Sequence, residues 1–500
     1  AAEYHNLQDM SPEVNNPVVR LRQLKVAMRI SAARLNEEKV DSTARSTPYT
    51  PIGVTMAALR RLERRGLPDL PALCARYPTL RSLLTPGLLL HAPHLCLARL
   101  RDHAVSLARE EVQASLQRLH DDLPLLDEDA RVRRRSQVLL QLKRVAPGRS
   151  SSLSAIMNSE GELRTDGPGM AEALRTHWRD TFSARRLDRH RRLAWFRADA
   201  VDQQGLHAAV RPLLVDKEAW RVRRSDLQKA IALSSSSAPG PDGIPYSAWR
   251  MLGPLAVDVL HKALGELSAE HGRESLLSAF PVDDAGNTAF NEATMVFIPK
   301  KLDREFQGVR YNEPEEVRPL SIVNTDIRLM ANAVRLRVEP LLAQAISPAQ
   351  RGVLPGRSML HNVLELDGEM RSASLVAERP AAVFFDFLAA FPSLAHDFLR
   401  DVLAHLQLPR HFRAFVDNLY FGNGCRIAAA GDNHEGFSIR AGIRQGCPLS
   451  PLLFALCGDL LLRRLQRLLP GDLCRAYADD IGLVAGAELG AHLHECVRTW

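Results

Sequence analysis

Paired cysteines are missing from this chain. Its seven cysteines stand at 74, 96, 425, 447, 457, 474 and 496, an odd count with no Cys-x-x-Cys pair. That excludes a disulfide framework and fits a reducing compartment. No stretch approaches the roughly 18 uninterrupted apolar residues that a membrane-spanning helix needs. Internal repeats, coiled-coil heptads and long low-complexity tracts are also absent, which excludes solenoid and fibrous architectures. The chain opens Ala1-Ala2-Glu3, with neither an initiating Met nor a secretory-signal pattern, so its start is expected to be cut. Neither sign of charge dominates: 65 Lys and Arg against 58 Asp and Glu give +7. That mild basic excess fits a polyanion partner and equally an ordinary solvated surface.

What is present is enough apolar material, 46% of 500 residues, for a large core. The length predicts about two to four domains. Residues 1–54 are mixed and polar, with Ser, Thr and Pro clustered at 42–51, and read as a poorly ordered segment. Residues 55–225 read as a mostly helical, basic extension. Apolar spacing is helix-like over 56–65 and 105–120, with Arg-rich faces further on at Arg131, Arg133, Arg134, Arg135, Lys143 and Arg144. Breakers such as Pro147-Gly148 and Asp166-Gly167-Pro168 predict a loop over 147–166. A helix over 169–200 is followed by the basic cluster Arg185, Arg186, Arg189, Arg191 and Arg192. From about 226 the texture changes. Ser225 is placed to cap a helix to about Leu233, and short strand-like runs then alternate with helical ones, the pattern of an α+β domain.

Three segments carry candidate chemistry. In Val383-Phe384-Phe385-Asp386-Phe387-Leu388-Ala389-Ala390-Phe391 an apolar run ends in one Asp, as when a strand delivers a carboxylate to the end of a sheet. Taken alone, an Asp capping a helix that begins near Leu388 is the commoner explanation. In Arg475-Ala476-Tyr477-Ala478-Asp479-Asp480-Ile481-Gly482-Leu483-Val484 apolar segments flank two acids, which a hairpin would hold at its tip. Adjacent carboxylates repel, and a cation between them relieves the repulsion. Between the two lies Ala441-Gly442-Ile443-Arg444-Gln445-Gly446-Cys447-Pro448-Leu449-Ser450-Pro451-Leu452-Leu453-Phe454, a Gly-rich loop running into a helix. Pro451 suits its first turn with Ser450 as the cap, and Gly446 permits close approach of a ligand to the backbone.

In this order the three segments resemble motifs A, B and C of reverse transcriptases of the non-LTR retrotransposon, LINE-like branch. Four upstream blocks agree. Ser237-Ala238-Pro239-Gly240-Pro241-Asp242-Gly243-Ile244-Pro245 resembles the block before the fingers. Met295-Val296-Phe297-Ile298-Pro299-Lys300 and Val317-Arg318-Pro319-Leu320-Ser321-Ile322-Val323-Asn324-Thr325 resemble the two fingers blocks. Gln350-Arg351-Gly352-Val353-Leu354-Pro355-Gly356-Arg357-Ser358 resembles the block that follows. Single blocks are weak evidence; seven in order are strong. The similarity runs over 226–500 and weakly back to about 150.

The resemblance implies right-hand polymerase fingers and palm over 226–500, with an antiparallel palm sheet and packed helices. It implies RNA-directed DNA polymerisation: transfer of deoxynucleotides onto a primer 3′-hydroxyl with an RNA template, a DNA primer and dNTPs as partners. Two Mg2+ ions, with Mn2+ as a substitute, would serve as cofactors. One would activate the 3′-hydroxyl and the other would hold the triphosphate and its leaving pyrophosphate. Asp386, Asp479 and Asp480 match the catalytic acids. Asp386, the backbone carbonyl of Phe387 and Asp479 match the metal ligands. Phe391 matches a steric gate beneath the sugar. Gln445, Gly446 and Tyr477 match the nucleotide pocket, Lys300 and Arg318 the basic residues at the triphosphate, and Arg351 and Arg357 contacts to template or primer. An intracellular site, nuclear or in a cytoplasmic ribonucleoprotein, goes with the family.

The sequence departs from the pattern at Ala389, where a Lys or Arg is common, and at Pro392, where an Asp is common. Only 20 residues follow Asp480, so the chain is expected to be truncated at its C-terminus, with the thumb missing. No endonuclease signature is found in 1–225, and no Cys/His zinc knuckle; His492, His494 and Cys496 read as incidental helix residues. These departures leave a second reading open, a decayed or domesticated relic that binds RNA without polymerising. An RNA-dependent RNA polymerase, the third, disagrees with Phe391.

Overall fold

The computed structural model describes residues 153–485 except 154, 186, 236, 301–303, 307–308 and 378–379. It also describes 3–5, 15–42 (side chains to 33) and scattered positions between 80 and 117. The helical reading of 56–65, the basic positions 131–144, and His492, His494 and Cys496 lie outside the described residues. The few described positions within 105–120 are helical. Among the described residues no helix is long and apolar enough to cross a membrane.

Two compact units divide the chain. One comprises Ala1–Arg34 with Leu153–Trp500, the other Leu35–Ser152. Within the first, the loop expected over 147–166 holds a small hairpin, β1 (Ile156–Met157) and β2 (Leu163–Arg164). The helix Gly167–Thr181 follows. Asp166 caps it by accepting from the Gly169 amide, and Pro168 sits in its first turn. It buries Met170, Leu174 and Trp178, a four-residue spacing that lines up one face.

Period-two burial then makes the strands. β3 (Glu292–Pro299) buries Ala293, Met295 and Phe297; the exposed hairpin β4 (Arg304–Phe306) and β5 (Val309–Tyr311) follows. β6 (Val317–Val323) buries Val317, Pro319, Ser321 and Val323. β3 pairs with β6 antiparallel and with β8 (Asn423–Ala429) parallel, and β8 pairs antiparallel with β9 (Asp432–Ile439). This mixed sheet has the order β6-β3-β8-β9. A second sheet is wholly antiparallel, in the order β10-β11-β7, from β7 (Ala381–Phe385), β10 (Leu473–Tyr477) and β11 (Asp480–Ala485). Two long helices, Thr325–Ala345 and Ser450–Leu468, supply much of the apolar core. The architecture is α+β, as the alternation of runs predicts.

Two expected boundaries are not where the sequence pattern puts them. Residues 153–225 do not stand apart from 226 onward. Trp178 lies 6.1 Å from the Phe297 ring and donates its indole N–H to the Pro314 carbonyl at 3.1 Å, while the amides of Arg440 and Ala441 both donate to Phe182 O. Residues 1–54, read as lacking order, contain the helix Pro17–Ser42. Its first half buries Val18, Leu21 and Leu24, and Asn16 and Arg22 donate to the carbonyls of Ser275 and Ala279. Lys25 enters the core there, 3.0 Å from Asp242 and 2.8 Å from Asp326. Polar composition hides such a helix, because its order comes from tertiary partners more than from local propensity.

Candidate active site

The three acids singled out from sequence share one end of the three-stranded sheet. β7 runs antiparallel to β11 with Phe385 opposite Ile481, so one further step of the same register sets Asp386 across from Asp480. β10 and β11 close at Tyr477 opposite Asp480, leaving Ala478 and Asp479 as the turn. Ala478 takes a left-handed conformation, φ 57°, as a two-residue hairpin turn demands. The short helix after Asp386 spans Ala390–Ser393 with Ala389 as its N-cap residue, so Asp386 does not serve as the cap.

Electrostatics tie the acids together. Burial pushes the Asp479 carboxyl above its usual range; the charges of Asp480 and Asp386 push it the same way, while its own backbone N–H and Arg318 pull it down. Asp479 thus senses both other acids and one guanidinium. Asp386 and Asp480 are exposed and Asp479 is half-buried. Among the described residues, no group of three or more Asp, Glu, His or Cys side chains closes tightly enough to hold an ion unaided. Mg2+ commonly takes only one or two carboxylates and completes its shell with water and substrate phosphate. A repelling carboxylate set open to solvent fits an ion bound in that way.

The turn at Ala478 is clamped by a residue that the sequence reading did not single out. Gln350 donates from Nε2 to the Ala478 carbonyl at 3.0 Å, and its Oε1 accepts from the amides of Ala478 and Gly352 at 2.9 and 2.8 Å. Gly352 lies so close that a Cβ there would come 2.0 Å from the Ala478 nitrogen, so only glycine fits. The signal was present, since Gln350 heads the motif-like block ending at Ser358, but the partner lies 128 residues away.

The remaining candidates divide. Arg318 stands on β6 opposite Ile298 and reaches Asp479 electrostatically. Lys300 is exposed and donates to the Glu315 carbonyl at 2.8 Å. Gln445 accepts from the Ser321 amide at 2.9 Å, and Gly446, φ 113°, lies against the Ser321 carbonyl, so their loop rests on β6. Tyr477 is half-buried at the end of β10. Arg351 and Arg357, expected to touch a nucleic-acid strand, also have internal partners. Arg351 and Arg475 both engage Glu365, whose carboxyl they hold below its usual range. Arg357 donates to the carbonyls of Ser347, Gln350, Ala343 and Ile346, finishing the end of the helix Thr325–Ala345.

Phe391 is fixed twice. Its carbonyl accepts from the Ile443 amide at 2.8 Å, and its ring stacks on Phe454 with centroids 4.5 Å apart and planes 13° apart. Of the two departures, Ala389 occupies a left-handed conformation, φ 55°, and Pro392 is buried. Beyond them His396 donates from Nε2 to the Gly442 carbonyl at 2.8 Å, tying the turn after Phe391 to the loop that carries Gln445. Burial lowers His396 to about 4, so it stays neutral at neutral pH. The depressed folded value means that its stability contribution is present above the unfolded pKa near 6.5 and is lost as pH falls towards 4. That is about 3 kcal/mol in total. Denaturant titrations of the wild type and His396→Gln across this window should show a steeper acid loss in the wild type; parallel curves would contradict the assignment.

The fold gathers three carboxylates at one sheet end, and comparison with known proteins says what the chain resembles. Residues 298–499 match the family described as reverse transcriptase (RNA-dependent DNA polymerase). The chain is 28% identical over 281 residues to the retrovirus-related Pol polyprotein from type-2 retrotransposable element R2DM of Drosophila melanogaster, covering 55% of this chain and 24% of that protein. It is 26% identical over 284 residues to the Pol polyprotein from a type-1 retrotransposable element R2 of Nasonia vitripennis, covering 55% and 25%. A Transposon TX1 149 kDa protein of Xenopus laevis is 27% identical over 276 residues, covering 52% and 19%. The chain thus spans a quarter or less of the length of these relatives. Residues 298–499 thus match a reverse transcriptase domain, and the similarity to R2 Pol polyproteins supports the non-LTR retrotransposon branch. Reverse transcriptases as a family use divalent metal ions.

Proposed function

We propose that this chain polymerises DNA on an RNA template from a DNA primer 3′-hydroxyl, by two-metal nucleotidyl transfer of dNTPs. The observation that carries the reading is the register of β7, β11 and β10, which has Asp386 and the Asp479-Asp480 turn at one sheet end. In this reading the three-stranded sheet is the palm and the mixed sheet belongs to the fingers. Asp386, the Phe387 carbonyl and Asp479 would hold two Mg2+ ions, or Mn2+ in their place; when bound, the ions supply Lewis-acid charge at the 3′-hydroxyl and the leaving pyrophosphate. Asp480 supports the set electrostatically. Arg318 offers a guanidinium fork to the triphosphate and Lys300 a point charge. Gln445, Gly446 and Tyr477 form the wall against the incoming nucleotide. A nuclear or ribonucleoprotein setting goes with such an activity, and strand nicking would be supplied by residues other than those discussed.

Phe391 gives the reading its sharpest test. A ring held by Phe454 beneath the sugar leaves no room for a 2′-hydroxyl, so the wild type should incorporate dNTPs and reject rNTPs. Phe391→Ala should admit rNTPs, lowering the discrimination ratio by on the order of 10²-fold, as expected when a steric barrier of about 3 kcal/mol is removed. Primer extension on an RNA template with each nucleotide set measures it. An unchanged ratio in an active variant would remove Phe391 from the sugar pocket. Salt-dependent RNA binding without any extension would favour the non-polymerising relic.

A further inference from the structure

A cavity of about 350 Å3 lies at the start of the helix His396–His405, lined by Arg185, His396, Asp397, Arg400, Phe421 and Arg440 among others. None of the three site acids lines it. The basic cluster noticed in the sequence resolves here. Arg192 pairs with Asp401 and Arg191 with Asp188, but Arg185 leaves the cluster and turns to the cavity.

The charge around the cavity is poorly neutralised. Arg185 donates to the Thr181 carbonyl at 3.2 Å, and Arg440 to the carbonyls of Asn423 and Ala285 at 3.2 and 2.6 Å. Carbonyl acceptors orient a guanidinium without cancelling its charge. Arg400 pairs with Asp397 and Asp417. Behind it, Arg273 lies 3.8 Å over the Phe421 ring and donates to Asn418 Oδ1 and the Asp417 carbonyl. Burial first, and the nearby Arg400 charge as well, depress the Arg273 guanidinium, although Asp417 opposes them. Three guanidinium groups, of Arg185, Arg400 and Arg440, therefore line the cavity with one carboxylate, Asp397, beside the Phe421 ring, which has Arg273 behind it.

We propose that this cavity binds the phosphates of a single nucleic-acid strand outside the polymerising centre. Guanidinium groups held by carbonyls are set for phosphate oxygens. An aromatic ring beside them suits the face of an unpaired base, the combination by which strands without a partner are gripped. The cavity has room for more than one phosphate group. Through His396 and the Gly442 carbonyl it adjoins the loop that carries Gln445. The proposal rests on the polymerase reading only for why a strand should be present.

The test uses the full chain carrying Asp479→Asn, so that binding is read without synthesis. Fluorescence anisotropy follows a labelled single-stranded RNA, and separately a DNA of the same sequence, across a KCl series. Arg185→Glu, at an exposed position, removes one positive charge and adds a negative one. It should weaken binding about tenfold at low salt and flatten the slope of log affinity against log salt by about 0.7, the value for one phosphate contact on a single strand. Arg440→Lys, which keeps the charge, should retain most of the affinity, whereas Arg440→Gln should not. Unchanged affinity and slope in folded Arg185→Glu and Arg440→Gln would overturn the proposal. So would inorganic pyrophosphate displacing the strand as well, phosphate for phosphate, as unlabelled RNA does. Primer extension with Asp479 intact is scored separately. A chain that binds through Arg185 yet never extends a primer removes the polymerase reading and leaves the cavity assignment standing.

Discussion

Lys25→Ala is expected to cost the fold about 3–5 kcal/mol, the usual penalty for removing one partner of a buried ion pair. Lys25 is buried between Asp326 at 2.8 Å and Asp242 at 3.0 Å, and its ammonium lies 5.8 Å from the Phe280 ring. Burial alone would pull its pKa down, but the two carboxylates outweigh burial and raise it, so the ammonium remains charged. Without it Asp326, fully buried at the start of the helix that follows β6, has lost its cation, and burial already pushes its carboxyl upward. The change would also release the first half of the helix Pro17–Ser42 from the turn that contains Asp242. Denaturant unfolding of the full chain measures the loss, and Lys25→Met with Asp326→Asn should recover part of it because the stranded charge goes with its partner. A loss under about 1 kcal/mol for Lys25→Ala would mean that the contact carries no weight.

The contrast between Lys25 and the acids at the sheet end shows what the sequence made legible. Asp386, Asp479 and Asp480 could be read because strands, turns and the order of seven blocks constrain them locally. Lys25 could not be read, since a basic residue among Arg20, Arg22 and Arg29 looks solvent-facing and its partner Asp326 lies 301 residues on. Gln350 was hidden for the same reason, its partner being the turn at Ala478. Arg351 and Arg357 show another gap. A cation near a polymerase motif suggests phosphate, and the sequence does not reveal that the fold also sets Glu365 beside Arg351 and four backbone carbonyls around Arg357. Phe454 stood in the quoted loop-to-helix segment, but only the fold brings its ring onto Phe391.

Asp479→Asn should leave the chain folded and remove nearly all nucleotide incorporation. Asparagine keeps the size of the side chain and its place in the turn between β10 and β11. It removes a carboxylate that is raised by burial and by its neighbours Asp480 and Asp386, so the variant should be no less stable. Its loss takes away one of the charges that the proposed reaction needs. Several kcal/mol of lost transition-state stabilisation corresponds to on the order of 10³ in rate. Acidification should act in the same direction in the wild type. Burial and the two neighbouring acids raise the Asp479 carboxyl in the metal-free chain, so a proton competes with Mg2+ there and more Mg2+ should be needed for incorporation as the pH falls.

The decisive measurement is Mg2+-dependent incorporation of dNTPs by the full chain on an RNA template with an annealed DNA primer, run beside Asp479→Asn. Extension by the wild type, and a loss of about 10³-fold or more in a folded Asp479→Asn chain, is the expected result. Equal extension by the two proteins would contradict a polymerising centre at the end of β7, β10 and β11.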